Sequence, residues 1–341
     1  MQAAHNKKTG ISRAEVIVTV AVVMLLSGIL LPYILKQRTM SRRNMCEYRL
    51  TGLGYAVQLA EKDSQQLPTY RTAWPELHIS PVPVITNDRI VGWQFSLLPY
   101  LRLTPDLSTT PDADPNAAPP LVGPLFEHFS DYVDDSTAQA QQRLHKLYLN
   151  DFVCPANNPP EIDKGILPGG WNSYVANGGL PDAVGSPDSI YTVDSIANGL
   201  FVDDPALSKH AGQRALFGFQ YVADGDGLDS TLMLSENIDS GKWTATSQAA
   251  LLFHWQIDAP LPAGVKTPRV LGINIQRGQA ISGDIRFARI SSNHVGGANV
   301  IFVSGRTQFL SENIDPRVLR YMMTSRDAEC TWPGTTISIF E

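Results

Sequence analysis

Residues 9–38 read TGISRAEVIVTVAVVMLLSGILLPYILKQR, and 16–35 of that stretch carry no charge. Twenty residues at about 1.5 Å each make a helix of about 30 Å, the thickness of a bilayer core. A cleaved secretory signal has a shorter apolar part, about 7–15 residues, followed by small residues. Here the run continues into Lys36 and Arg38 with no such site. A single-pass membrane anchor is therefore expected over 16–35. Both flanks are basic, so the positive-inside rule gives no orientation. The large, turn-rich body behind the anchor is expected to be extracytoplasmic, held at the inner membrane.

The 341-residue chain has 43% apolar residues, enough for a sizeable core, and only 18% charged ones. Its 26 Gly and 24 Pro favour strands and long turns over helical bundles. Net charge is −6, yet the first 43 residues carry seven basic side chains against Glu15 alone. The body is thus more acidic than the total, which excludes non-specific binding of nucleic acid. The basic flanks suit lipid head groups. Cys46, Cys154 and Cys330 are far apart and form no C-x-x-C pair. That argues against a zinc knuckle or a thioredoxin-like site. An oxidising compartment allows one disulfide and leaves one thiol.

Glu15 stands directly before the apolar run, where a carboxylate is costly without a partner. It either lies idle in the head-group layer or meets a positive charge there. Gly10, Ile11, Ser12, Arg13, Ala14 and Glu15, behind the short basic leader MQAAHNKKTG, resemble the type IV prepilin signal. The resemblance implies cleavage between Gly10 and Ile11 by a prepilin peptidase, and N-methylation of Ile11. It also implies that Glu15 pairs with the terminal amine of a neighbouring pilin-like subunit. Pro32 late in the run fits the bent helices of that family. Arg13 departs from the pattern, standing where the family carries an apolar residue.

Beyond the membrane, Met45, Tyr48, Leu53, Val57 and Ala60 recur at near-helical spacing, and Pro68 stops the pattern. A leader over 1–10, a helix over 11–62 and a β-rich domain over 63–341 are expected. Segment 104–124, rich in Pro, Asp and Ala, reads as an exposed loop. Segment 92–101 reads as buried, and the chain before Cys154 as a helical patch leading into a strand. Strand signals recur in SYVANGG, SIYTVDS, FGFQYVADGDGLD, TLMLSENIDSG and LLFHWQID. NVIFVSGRTQFLS reads as a hairpin around Ser304-Gly305. The hexad LSENID occurs at 234–239 and at 310–315, and reads as two strand ends with similar turn chemistry.

The body resembles a bacterial pseudopilin-like family of unknown function, which joins a prepilin segment to a β-rich secreted domain. The marks are RRNMCEYRLTGLGYAVQLAEKD, FVCPANN, NSYVANGG and SSNHVGGANVIFVSGRTQFLSENID. The last resembles a signature of His, nine residues, then Asp-Gly, here His294 followed by Ser304-Gly305 with Ser304 in place of Asp. The resemblance implies an α+β fold with a long, pilin-like N-terminal transmembrane helix packed on a β-rich globular domain. It also places Cys46 and Cys154 at the family's two cysteine positions, where a disulfide would tie helix to sheet.

His294, with two glycines soon after it, is expected to be a turn histidine bonded to backbone. No G-x-S-x-G, H-E-x-x-H or P-loop pattern occurs, so no enzymatic activity and no cofactor are expected. Asp224, Asp226 and Asp229 in DGDGLD are weak calcium candidates, since the EF-hand order and its closing Glu are missing. Trp93, Trp171, Trp243 and Trp255 are read as core rather than as a sugar-binding platform. The expected function is a membrane-anchored pseudopilin-like protein. Its partners would be the prepilin peptidase, lipid, and pilin-like subunits of a type II secretion or type IV pilus-like system. The competing expectation is a membrane-tethered extracytoplasmic binding module that uses the signal only for export and anchoring.

Overall fold

The computed structural model describes residues 13–73, 90–101, 149–157, 170–179, 196–204, 217–255, 272–275 and 287–330. Gly10 and Ile11 with the leader, the 104–124 loop and the SIYTVDS segment lie outside the described residues. The first element is a single helix, α1 (Arg13–Ser64), with Pro32 inside it. Its first half is exposed throughout, including every apolar side chain of 16–35. It is long and apolar enough to cross a membrane.

The second half of α1 is different. Cys46, Leu50, Leu53, Val57 and Ala60 are buried, at a spacing that keeps one face of a helix turned to a partner. Met45 and Tyr48, expected on that face, are instead exposed at 46% and 76%. Cys46 and Leu50 take their place. Cys46, Leu50, Leu53, Val57 and Ala60 keep the regular helical spacing, whereas Tyr48 stands five residues before Leu53 and falls off that face.

That face lies on a five-stranded sheet. Strands β3 (Tyr174–Gly179), β4 (Leu232–Glu236), β5 (Leu252–His254), β6 (Gly297–Phe302) and β7 (Thr307–Ser311) follow a two-stranded ribbon, β1 (Arg71–Ala73) with β2 (Ile90–Gly92). The order in the main sheet is β5-β3-β4-β6-β7, with only β3–β5 parallel. This is the α+β architecture expected from the sequence. Alternation divides the side chains between two cores. Tyr174, Ala176, Met233 and Ile301 join the α1 residues, while Val175, Leu232, Val300 and Phe302 pack with Ile290, Leu319 and Met323 on the other face. Burying each leucine of α1 contributes about 1.5–3 kcal/mol. At Gly54 a Cβ would stand 2.2 Å from Ile301 Cδ1, so the missing side chain sets how closely α1 approaches β6.

Polar contacts fix the helix further. Gln58 Nε2 donates to Val303 O at 3.1 Å, and Thr307 Oγ1 donates to Glu47 at 3.0 Å. Arg49 donates to the carbonyl of Val153. Glu61 accepts the backbone N–H of Phe219 at 2.9 Å, capping the short helix Phe219–Ala223. That stretch reads as a strand from its aromatic and β-branched residues; the cap supplied by α1 makes it helical instead. Likewise Asn150–Phe152 is a 3-10 turn rather than a strand. Trp93 and Trp243 are fully buried, and Trp93 bonds Leu251 O at 3.0 Å, while Trp171 and Trp255 are half-buried. His254, buried at the end of β5, has its imidazole pushed down to about 4 by burial and is neutral in the fold.

Candidate functional site

The residues of interest meet where α1 enters the domain. Cys46 and Cys154 form a disulfide, with 4.9 Å between their Cα atoms and a sequence separation of 108. Beside it, His294 Nε2 lies 3.5 Å from Cys154 Sγ and 3.1 Å from Glu236 Oε1. Glu236 ends β4 and faces Tyr174 of β3 in register. Its carboxylate is fully engaged. Oε2 accepts the Asn299 backbone N–H at 2.9 Å, and Oε1 accepts from Asn299 Nδ2 at 3.1 Å. All four residues of the cluster are buried. A buried carboxylate is tolerated only with such donors.

Local structure holds each member in place. Ser292 Oγ accepts the His294 N–H at 3.1 Å and donates to Gly297 O at 2.6 Å, which sets the loop before β6. Asn293 Nδ2 donates to Ala156 O at 3.0 Å, tying the histidine loop to the Cys154 loop. The edge of the His294 ring meets Phe309, and the Arg43 guanidinium sits 3.8 Å over the other ring. Tyr174 Oη donates to Cys46 O at 3.1 Å. Burial, and after it the Glu236 charge, hold the Tyr174 phenol well above its ordinary value. Burial also pushes the Asp151 carboxyl up, against the opposing charge of Arg49.

His294 is therefore not a turn histidine bonded through its ring to backbone, as expected. Its ring partner is Glu236, a residue that sequence reading passed over. The only signal was the hexad LSENID, whose two copies have opposite fates: Glu236 is buried, while Glu312 is exposed and bonded to Asn274 at 2.9 Å. Both copies do sit at strand ends. Ser304 and Gly305 lie at the far end of β6 from His294, across a strand of about 20 Å. They make the β6–β7 turn, with Gly305 at φ 88° and packed on Gln58 of α1. Ser304 thus does not share a site with His294. The motif spans the strand, one end at the cluster and the other on the helix.

Residues 36–317 match the family described as a protein of unknown function, DUF1559. The chain belongs to the DUF1559 family. No curated protein and no solved structure matches it. Membership of the DUF1559 family and a helix long and apolar enough to cross a membrane together fit a membrane-anchored protein.

Other sequence-marked residues fall elsewhere in this DUF1559 chain. Tyr174, Asn177 and Gly179 are structural. Asn177 Nδ2 bonds Leu232 O and Met323 O at 2.7 and 2.8 Å, and Gly179 has φ 62° with Asn198 O against it. Asp226 accepts from Thr324 Oγ1 and Asp327 N, and Asp224 accepts from Gln220. Asp229 uses its carbonyl to receive Arg306. These three aspartates do not converge on one point; among the described residues, the group of ligand atoms that does is Cys46, Cys154, Glu236 and His294, all within 4.8 Å of one another. Cys330 carries a thiol that burial pushes up to about 12, donating to Ala197 O at 3.2 Å. Glu15 lies exposed in the first turn of α1.

Proposed function

We propose that this chain is a non-enzymatic, pseudopilin-like protein of the inner membrane. It is cleaved after Gly10 by a prepilin peptidase and methylated at Ile11, and its body stands outside the cytoplasm. It assembles with pilin-like subunits of a type II secretion or type IV pilus-like system, with Glu15 receiving a neighbour's terminal amine. The observation that carries this reading is the division of α1. One continuous helix has an outer half with no cover for its apolar side chains and an inner half locked to the sheet. Such a helix is a stiff tether whose free half needs lipid or other helices around it. The buried disulfide supports an oxidising compartment for the body. The His294–Glu236 pair supports a structural reading of the cluster, since Cys46 and Glu236 are sealed from solvent at 0% and 1% exposure.

The test is Glu15→Ala in the full chain within its membrane. The variant is expected to insert and fold normally, because Glu15 is exposed in the first turn of α1, well before the buried stretch that begins at Cys46. Cross-linked assemblies with neighbouring helices should fall about tenfold or more, equivalent to about 1.4 kcal/mol. Undiminished assembly by Glu15→Ala would remove the docking role and leave a tethered binding module as the better account.

A further inference from the structure

We propose that reduction of the Cys46–Cys154 disulfide converts the cluster into a four-ligand zinc site, with Cys46, Cys154, His294 and Glu236 as ligands. The ligand atoms already occupy nearly the right places. A tetrahedral zinc with ordinary bond lengths puts sulfur about 3.5 Å from nitrogen, and nitrogen about 3.3 Å from oxygen. Cys154 Sγ is 3.5 Å from His294 Nε2, and His294 Nε2 is 3.1 Å from Glu236 Oε1. All four atoms lie within 4.8 Å of one another. Opening the disulfide lets the two sulfurs part to the about 3.8 Å that such a zinc requires.

The supporting shell is also in place. Asn299 holds both oxygens of Glu236 through its backbone and side-chain N–H groups, and Ser292 holds the His294 backbone. Outer-shell donors of this kind orient metal ligands. Arg49, on the carbonyl of Val153 next to Cys154, sets a positive charge beside a site that carries one net negative charge with zinc bound. The site is closed by protein on all sides, as structural zinc sites are.

The chemistry balances with a dithiol as reductant. Two electrons and two protons pass to the disulfide, the S–S bond breaks, and the dithiol closes into its own disulfide. Zn²⁺ then displaces both thiol protons to solvent. The His294 proton leaves Nε2, where it was donated to Glu236, for Nδ1, and the in-plane lone pair this frees on Nε2 binds the metal. Oxidation expels the ion by the reverse steps. The disulfide and the metal are thus alternative clamps between α1 and the sheet.

The experiment uses the full chain in detergent, reduced with dithiothreitol, freed of reductant without oxygen, and titrated with Co²⁺ as the zinc probe. The reduced chain is expected to take up one Co²⁺, with thiolate-to-cobalt charge transfer and the visible bands of a four-coordinate site. The oxidised chain should take up none. Cys330→Ser should behave as wild type, and His294→Gln should bind more than about 100-fold more weakly, beyond the loss from an outer-shell partner. The wild-type titration alone decides the matter should a variant fail to fold. No cobalt uptake by the reduced chain, uptake by the oxidised chain, or an unchanged spectrum in His294→Gln would each overturn the proposal.

Discussion

Replacing Cys46 and Cys154 together by serine is expected to destabilise the β-rich domain by about 5 kcal/mol. The disulfide closes a loop of 108 residues. In the chain-entropy treatment, a loop of about 100 residues contributes about 4.7 kcal/mol by restricting the unfolded chain. Two further costs add to this. Both sulfurs are buried, so two hydroxyls would enter an apolar site, and Tyr174 Oη, which bonds the Cys46 carbonyl, would sit on a looser helix. The double variant is preferable to a single one, which leaves a thiol beside His294. Urea unfolding of the full chain in detergent, followed by tryptophan fluorescence, reads the effect through Trp93 and Trp243, both in the core that α1 seals. A loss below about 1 kcal/mol would mean that the apolar face of α1 alone holds helix to sheet.

The second large effect is expected at Glu236. Glu236→Ala should cost about 3–5 kcal/mol, the range for removing one partner of a buried charged network. The mechanism is the orphaning of donors rather than a lost attraction. Asn299 N, Asn299 Nδ2 and His294 Nε2 all end on this carboxylate, and none reaches water in its place. The sequence supplies its own control. Glu312 is the third residue of the second LSENID, as Glu236 is of the first, but it is exposed. Glu312→Ala should change stability by no more than about 0.5 kcal/mol. Equal losses from the two substitutions, measured by the same unfolding curves, would show that the Glu236 network contributes no more than a surface contact.

The contrast between the two hexads also shows how far the sequence reaches. The helix was legible because twenty uncharged residues, followed by Pro68 as a stop, admit few alternatives. The β6–β7 hairpin was legible because alternation is local and Gly305 suits the left-handed turn. The inner face of α1 was only partly legible. Cys46 and Leu50 continue the regular spacing of Leu53, Val57 and Ala60, but a cysteine is a weaker apolar mark than Met45 or Tyr48, and the sheet takes the first pair. Phe219–Ala223 was misread because its conformation is set by Glu61, 158 residues away in sequence. The His294–Glu236 pair was not legible at all. It depends on β4 lying against β6 in one register and on the loop before β6 folding back, facts that no local pattern carries. The Cys-Pro, Tyr-x-x-Asn-x-Gly and His-x9-Ser-Gly segments are distant in sequence, yet Cys154, Tyr174 and His294 meet within one region around the disulfide and Glu236.

The most direct measurement on the proposed function is the intact mass and N-terminal sequence of the full-length protein extracted from its membrane. A pseudopilin-like chain begins at Ile11 and is one methyl heavier than its residues require, with Glu15 then the fifth residue of the mature protein. A chain that keeps Met1 to Gly10 would contradict prepilin processing, and the molecule would be a simple single-pass anchor for its β-rich domain.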